Sequence, residues 1–131
     1  MSQSLSDAHA ELYAALNHML AGDPAPMLQV WSERDDVTYA GPFGGFMVGR
    51  PAVVEAFKAS AAMNLGGRLE ATEVHLVEGS DLGYTVCVEH GIDHTIEGQT
   101  VSLTHRATNV FRREADRWRL VHHHTDHSSS Q

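Results

Sequence analysis

From residue 68 onward the chain is almost continuous β-strand. Four long runs, Arg68 to Val77, Leu82 to Ile96, Thr100 to Arg113 and Arg117 to Thr125, are separated only by Gly79-Ser80-Asp81, Glu97-Gly98 and Glu114-Ala115-Asp116. Turns this short join antiparallel neighbours, because a parallel pair needs a crossover of roughly a dozen residues or more. The runs exceed the usual length of ~5–6 residues, and a sheet of such strands twists and bends. Helices must cover one of its faces, and a curved sheet wrapped around helices leaves a hollow at its open end.

The first half reads helical. Leu5, Leu12, Leu16, Met19 and Leu20 recur at helical spacing, with Ala8 and Ala15 on the same side. Ser4 or Ser6 suits the start and Gly22 the end. Asp23-Pro24 restarts a second, short helix through Trp31, since Asp caps well and Pro fits a first turn. Asp36 to Ala40 looks like a short strand, broken by the Gly-, Pro- and Phe-rich stretch from Gly41 to Phe46. Gly49-Arg50-Pro51 then opens a third helix with Val53, Val54, Phe57 and Ala61 as its buried stripe, ended by Gly66-Gly67. Helices first and an antiparallel meander afterwards predict an α+β domain over residues 1–127, with Ser128 to Gln131 as a disordered tail.

Charge narrows the partners. The 131 residues carry 17 Asp+Glu against 9 Lys+Arg, a formal net charge of −8. Such a surface repels phosphate backbones and anionic lipid, which argues against nucleic-acid and membrane roles. No run of ~18 apolar residues is present, and the start from Met1 to Asp7 lacks a secretory pattern. Cys87 stands alone within Tyr84-Thr85-Val86-Cys87-Val88, where it fits a small core residue in a reducing, cytoplasmic setting.

Period-two patterning picks an inward face for the sheet. Leu82, Tyr84, Val86, Val88 and Ile92 share one side of their strand; Val101, Leu103, Ala107 and Phe111 share one side of the next. A two-residue Glu97-Gly98 turn pairs 96 with 99, which makes these two apolar faces coincide and sets His90 opposite His105. Asn109, Val121, His123 and Thr125 then face the same interior. A bulge would swap the faces and bring Glu89 inward in place of His90. Polar groups in an otherwise apolar concave wall describe a small-molecule site, and a neutral imidazole there can act as general acid or base.

Two stretches carry a family resemblance: Trp31-(x)3-Asp35-Asp36-Val37-Thr38-Tyr39-(x)2-Pro42-Phe43-Gly44-(x)4-Gly49-Arg50, and Arg106-Ala107-Thr108-Asn109-Val110-Phe111-Arg112-Arg113-(x)4-Trp118-(x)2-Val121-His122-His123-His124. The chain resembles the nuclear-transport-factor-2-like superfamily, and most of all its SnoaL-like and ketosteroid-isomerase-like members. The resemblance implies a cone of three helices on a strongly curved, mainly antiparallel sheet, paired as a homodimer through the sheet's outer face. It also implies that the isomerase base position, just before Pro-Phe-Gly, is Gly41, which cannot take a proton. The isomerases' first-helix tyrosine falls near Ala15 and their buried acid near Thr108, so steroid isomerisation by that mechanism is not expected. The last two strands also resemble the calmodulin-dependent kinase association domain, but its pocket arginines fall at Asn109 and Thr125.

What remains is a pocket for a small apolar carbonyl-type metabolite. The candidate catalytic residues are His105, His90 and Asp35, a His–Asp pair being what related dehydratases imply. Trp31, Tyr39, Phe43, Phe46, Asn109 and His123 are the candidate ligand-binding residues. No cofactor and no metal is expected: His122 and His124 share a strand face, but the face argument turns them outward, and no zinc signature occurs. A ligand-sensing or association domain without catalysis is the alternative.

Overall fold

The computed structural model describes residues 2–128. Its elements run α1 (Leu5–Leu20), α2 (Ala25–Val30), β1 (Thr38–Gly41), β2 (Gly44–Val48), α3 (Arg50–Ala62), β3 (Arg68–Glu78), β4 (Leu82–Ile96), β5 (Gln99–Glu114) and β6 (Arg117–His127). The class is α+β as expected, but α3 follows the first hairpin, so only two helices precede the sheet. The expected tail lies, from residue 129, outside the described residues. No helix among the described residues is long and apolar enough to cross a membrane.

Local chemistry explains the boundaries. Ser4 Oγ accepts the Asp7 N–H at 3.0 Å, capping α1, and the chain leaves the helix through Gly22 at φ +98°. Asp23 Oδ1 accepts the Ala25 N–H at 3.1 Å, and Asp35 Oδ1 accepts the Arg50 N–H at 2.9 Å at the start of α3. The Gly- and Phe-rich stretch read as a break folds instead as the β1–β2 hairpin, with Gly41 opposite Gly44.

One six-stranded sheet has the order β2-β1-β6-β5-β4-β3. Every neighbouring pair is antiparallel except β1 on β6. Four register shifts interrupt it: between Thr72 and His75 in β3, between Gly91 and His94 in β4, where Val121 of β6 passes between partners of Val110 and Phe111, and between Tyr39 and Gly41 in β1. Glu73 and Asp93 hold positive φ at the first two. Bulged strands curl, which wraps the sheet around α1 and α3. Leu5, Leu12, Met27, Trp31, Val53, Phe57, Phe111, Trp118 and Leu120 fill the space between.

The β4 shift decides which side chains face in. Ile96 pairs with Gln99 and Thr95 with Thr100, as the short turn dictates. Beyond Asp93 the register moves by one, so His90 meets Thr104 and Glu89 meets His105. The buried residues of β4 are therefore Gly83, Thr85, Cys87, Glu89 and Gly91 before the bulge and His94 after it, whereas Leu82 and Tyr84 are exposed and Val86 and Val88 half-buried. The apolar side of β4 is thus the outer one, the reverse of the face expected from periodicity. β5 keeps its parity, with His105, Ala107, Asn109 and Phe111 buried.

Asp93 sits at φ +61°, where a β-branched residue is strained and glycine is not. Asp93→Val is expected to lower unfolding free energy in urea by about 1–3 kcal/mol, with Asp93→Gly neutral or stabilising. Equal losses for both would show that the backbone conformation at 93 is not what matters.

Candidate functional site

Under the curl of the sheet lies a cavity of about 90 Å³. Its lining is largely apolar, with Met19, Leu20, Phe43, Met63, Leu65 and Leu103 among it; Glu89, His94, His105, His123 and Thr125 supply polar groups. This is small beside the usual ~300–1,000 Å³ of a ligand pocket.

Glu89 is 4% exposed and has no cationic neighbour among its hydrogen-bond partners; Tyr13 of α1 donates its hydroxyl proton to Glu89 Oε2 at 2.6 Å. Asn109 Nδ2 then donates to the Tyr13 oxygen at 3.2 Å and to Thr85 Oγ1 at 3.2 Å. The remaining amide oxygen accepts from His123 Nδ1. That bond fixes the proton of His123 on Nδ1 and leaves Nε2 as the acceptor. Donors thus run in series from His123 through Asn109 and Tyr13 toward one carboxylate. Burial pushes the Glu89 carboxyl up to about 7, with the Tyr13 hydrogen bond pulling the other way.

Burial favours the neutral form of His123 and His105. Burial takes His123 down to about 3, aided by His122 and His124. His105 is lowered by burial and by His127 and His94 against a smaller opposing pull from Asp126. His94 Nδ1 donates to the Gly66 carbonyl at 2.8 Å, and its ring fills the space beside Gly91, where a Cβ would lie 2.3 Å from Nε2. Burial pushes the Cys87 thiol up to about 11, so it stays protonated and packs as a core group beside Tyr13.

The expected site residues divide. His105, His123, Tyr39 and Phe43 line the cavity. Asn109 is fully buried one layer behind it, as the hub of the hydrogen-bond series. His90 does not reach it: the β4 bulge turns it outward, where its Nε2 meets Thr72 Oγ1 at 2.9 Å. Asp35 is exposed and spent on the α3 start, so no His–Asp pair forms there. Trp31 is core, against Phe57 and edge-on to Tyr39, with ring centroids 5.7 and 6.4 Å away. Phe46 is 69% exposed on the outward side of β2. His122 and His124 do lie outside the interior, with His122 Nδ1 on Thr38 Oγ1 at 2.7 Å. Among the described residues no three His, Cys, Asp or Glu side chains gather as a metal site.

Residues 7–127 match the family described as SnoaL-like domain. The chain belongs to that family. The coarse expectation from the sequence motifs therefore holds. No curated protein matches it. Among solved structures, a protein from Thiobacillus denitrificans provisionally named a calcium/calmodulin-dependent protein kinase type II association domain is similar at TM-score 0.81 and 29% identity, covering 98% of each chain. A provisionally named dehydratase of the nuclear-transport-factor-2-like family from Streptomyces avermitilis has TM-score 0.79 and 24% identity over 96% of this chain and 94% of its own. A ketosteroid isomerase-like protein from Erwinia carotovora atroseptica has TM-score 0.77 and 18% identity over 98% and 99%. At such identity the last two show the fold alone. As in the sequence reading, Gly41 offers no base. The SnoaL-like chain nevertheless buries a first-helix phenol, Tyr13, and a carboxyl, Glu89, at positions the motif comparison did not mark.

A carboxyl with a raised folded-state pKa holds its proton more tightly folded than unfolded. Its contribution is fully present below its ordinary value of 4.5 and is lost as pH rises to about 7. Glu89→Gln, which cannot ionise, is expected to stabilise the domain by about 3 kcal/mol more at pH 8 than at pH 4, read by urea unfolding across pH. An equal effect at both pH values would mean that Glu89 ionises as it does in water.

Proposed function

We propose that this SnoaL-like domain is an acid–base enzyme acting on a small, largely apolar carbonyl compound, with Glu89 as the base. One observation carries the reading: a buried carboxyl in the wall of a small cavity, its pKa drawn to the range where a proton is both taken and returned near neutrality. In the step envisaged, the Glu89 carboxylate removes a proton from the carbon next to the carbonyl. The C–H electron pair moves into the enolate, and the proton returns from Glu89 to carbon in the isomerised or exchanged product. Tyr13 steadies the carboxylate, and Asn109 fixes Tyr13. His105, the cross-strand partner of Glu89, is placed to pass protons toward exposed His127, whose ring centroid is 6.0 Å away. Isomerase or dehydratase chemistry follows from the same first step.

Deuterium wash-in at the α-carbon of cyclopentanone, followed by NMR in D2O, tests this. The rate is expected to rise with pH through about 7 as Glu89 ionises, and to fall at least about 100-fold in Glu89→Gln. Binding without exchange would leave the pocket as a ligand sensor, the reading that the similarity to an association domain favours.

The chain is also proposed to pair with a second copy through the outer face of β3 and β4. Val77, Leu82 and Tyr84 are large apolar side chains exposed there, Val77 directly opposite Tyr84, on the side of β4 richer in apolar residues. Tyr84→Glu is expected to convert a dimer to a folded monomer by sedimentation with unchanged circular dichroism; a wild type already monomeric at high concentration would refute the pairing.

A further inference from the structure

We propose that the Thr125 hydroxyl is the anchor for the ligand's oxygen, and that this anchor, in a cavity with no cationic wall, restricts the site to uncharged ligands. The inference rests on the reading of the cavity as a small-molecule site and names the class that it takes.

Thr125 of β6 is 3% exposed, lines the cavity, and its Oγ1 has no hydrogen-bond partner among the described residues. Buried polar groups are nearly always paired, and an unpaired one costs free energy that a ligand oxygen recovers on binding. Of the other polar groups of the wall, Glu89 is held by Tyr13, His94 by Gly66 and His123 by Asn109 through Nδ1. Thr125 carries the wall hydroxyl that is both fully buried and without a partner.

Its placement suits a carbonyl between two groups. Thr125 pairs with Ala107 across β5–β6, and Ala107 with Cys87 across β4–β5, one inward position from Glu89. Thr125 and Glu89 therefore stand two strands apart and two residues along, about 12 Å between backbones at the ordinary ~4.8 Å strand spacing and ~3.4 Å rise per residue. Ala107, on the strand between them, contributes only a methyl. A compound of a few heavy atoms can thus accept from Thr125 through its oxygen while its neighbouring carbon meets Glu89.

Charge selects further. Among the residues lining the cavity there is no Lys or Arg, whereas carboxylates and phosphates are held by such groups. An ionised Glu89 repels a second anion. A cation gains one carboxylate, but Tyr13 already serves that carboxylate, and burial against Leu20, Phe43, Met63 and Leu65 strips the cation of water. The uncharged carbonyl meets neither penalty.

The test uses three five-membered rings that differ in charge: cyclopentanone, cyclopentanecarboxylate and cyclopentylamine, titrated against the full chain by NMR. Cyclopentanone is expected to bind at least about tenfold more tightly than either charged ring. Thr125→Val, which keeps the shape and removes the hydroxyl, is expected to weaken cyclopentanone about tenfold while raising the Tm of the free protein by about 3 °C or more. Thr125→Ser is expected to bind within about threefold of wild type. Unchanged binding by Thr125→Val, a lowered Tm in that variant, a charged ring matching the ketone, or no ketone binding at millimolar concentration would each overturn the proposal. Failure of the acid–base reading is separate: it shows as ketone binding that depends on Thr125 but is not followed by deuterium exchange.

Discussion

The whole interior hangs on how one carboxyl is accommodated in a closed space. Glu89 has no Lys or Arg within reach of a hydrogen bond, so the fold answers its charge with oriented neutral dipoles instead: the Tyr13 hydroxyl from α1, oriented by Asn109 from β5, itself steadied by His123 from β6. Each donor belongs to a different element, so the helix and three strands must dock in register before the carboxyl is satisfied. A fully buried cation would have lowered the pKa of Glu89; partial compensation by neutral donors leaves it titrating near neutrality. The same series that holds the core together therefore sets its acid–base character.

Bulges put that series in place. Without the extra residue at Asp93, the long β4–β5 ladder would carry His90 to the interior and Glu89 to the surface. With it, β4 presents Thr85, Cys87, Glu89 and Gly91 to the helices, small or polar groups that leave room for Tyr13 and the His94 ring. The outer side of β4 is left with Leu82, Tyr84, Val86 and Val88. The polar wall of the cavity and the apolar exterior of β4 are two results of the same local irregularity.

Much of the architecture could be read from the residues, because long alternating runs, short turns and capping residues act locally. The strands after residue 68, α1 with its Ser4 cap and the α3 stripe all follow from spacing. The site was only half readable. His105, Tyr39, Phe43 and His123 reach the cavity wall as the patterning predicts, but parity along β4 depends on a positive φ at an aspartate, which no composition rule marks. Apolarity itself misled, since the outer face of β4 is the greasier one. Tyr13 escaped notice because it sits within a leucine-rich helical stripe, where an aromatic reads as core. Trp31 and Phe46 went the opposite way: aromatics near a supposed mouth, they divide into the sealed core and the open edge of β2.

Gly41 has a consequence for how this scaffold can diversify. A Cβ at that position would come within 2.6 Å of the Tyr39 hydroxyl oxygen, so the phenol already occupies the volume that a side chain there would need. A carboxylate at residue 41 and a tyrosine at residue 39 are therefore rival tenants of one site. Any lineage that installs the first must truncate or swing out the second, and with it the ring stacked on His123 at 5.7 Å. A side chain at residue 41 and the Tyr39 ring in its present place are in this way made mutually exclusive by steric volume alone.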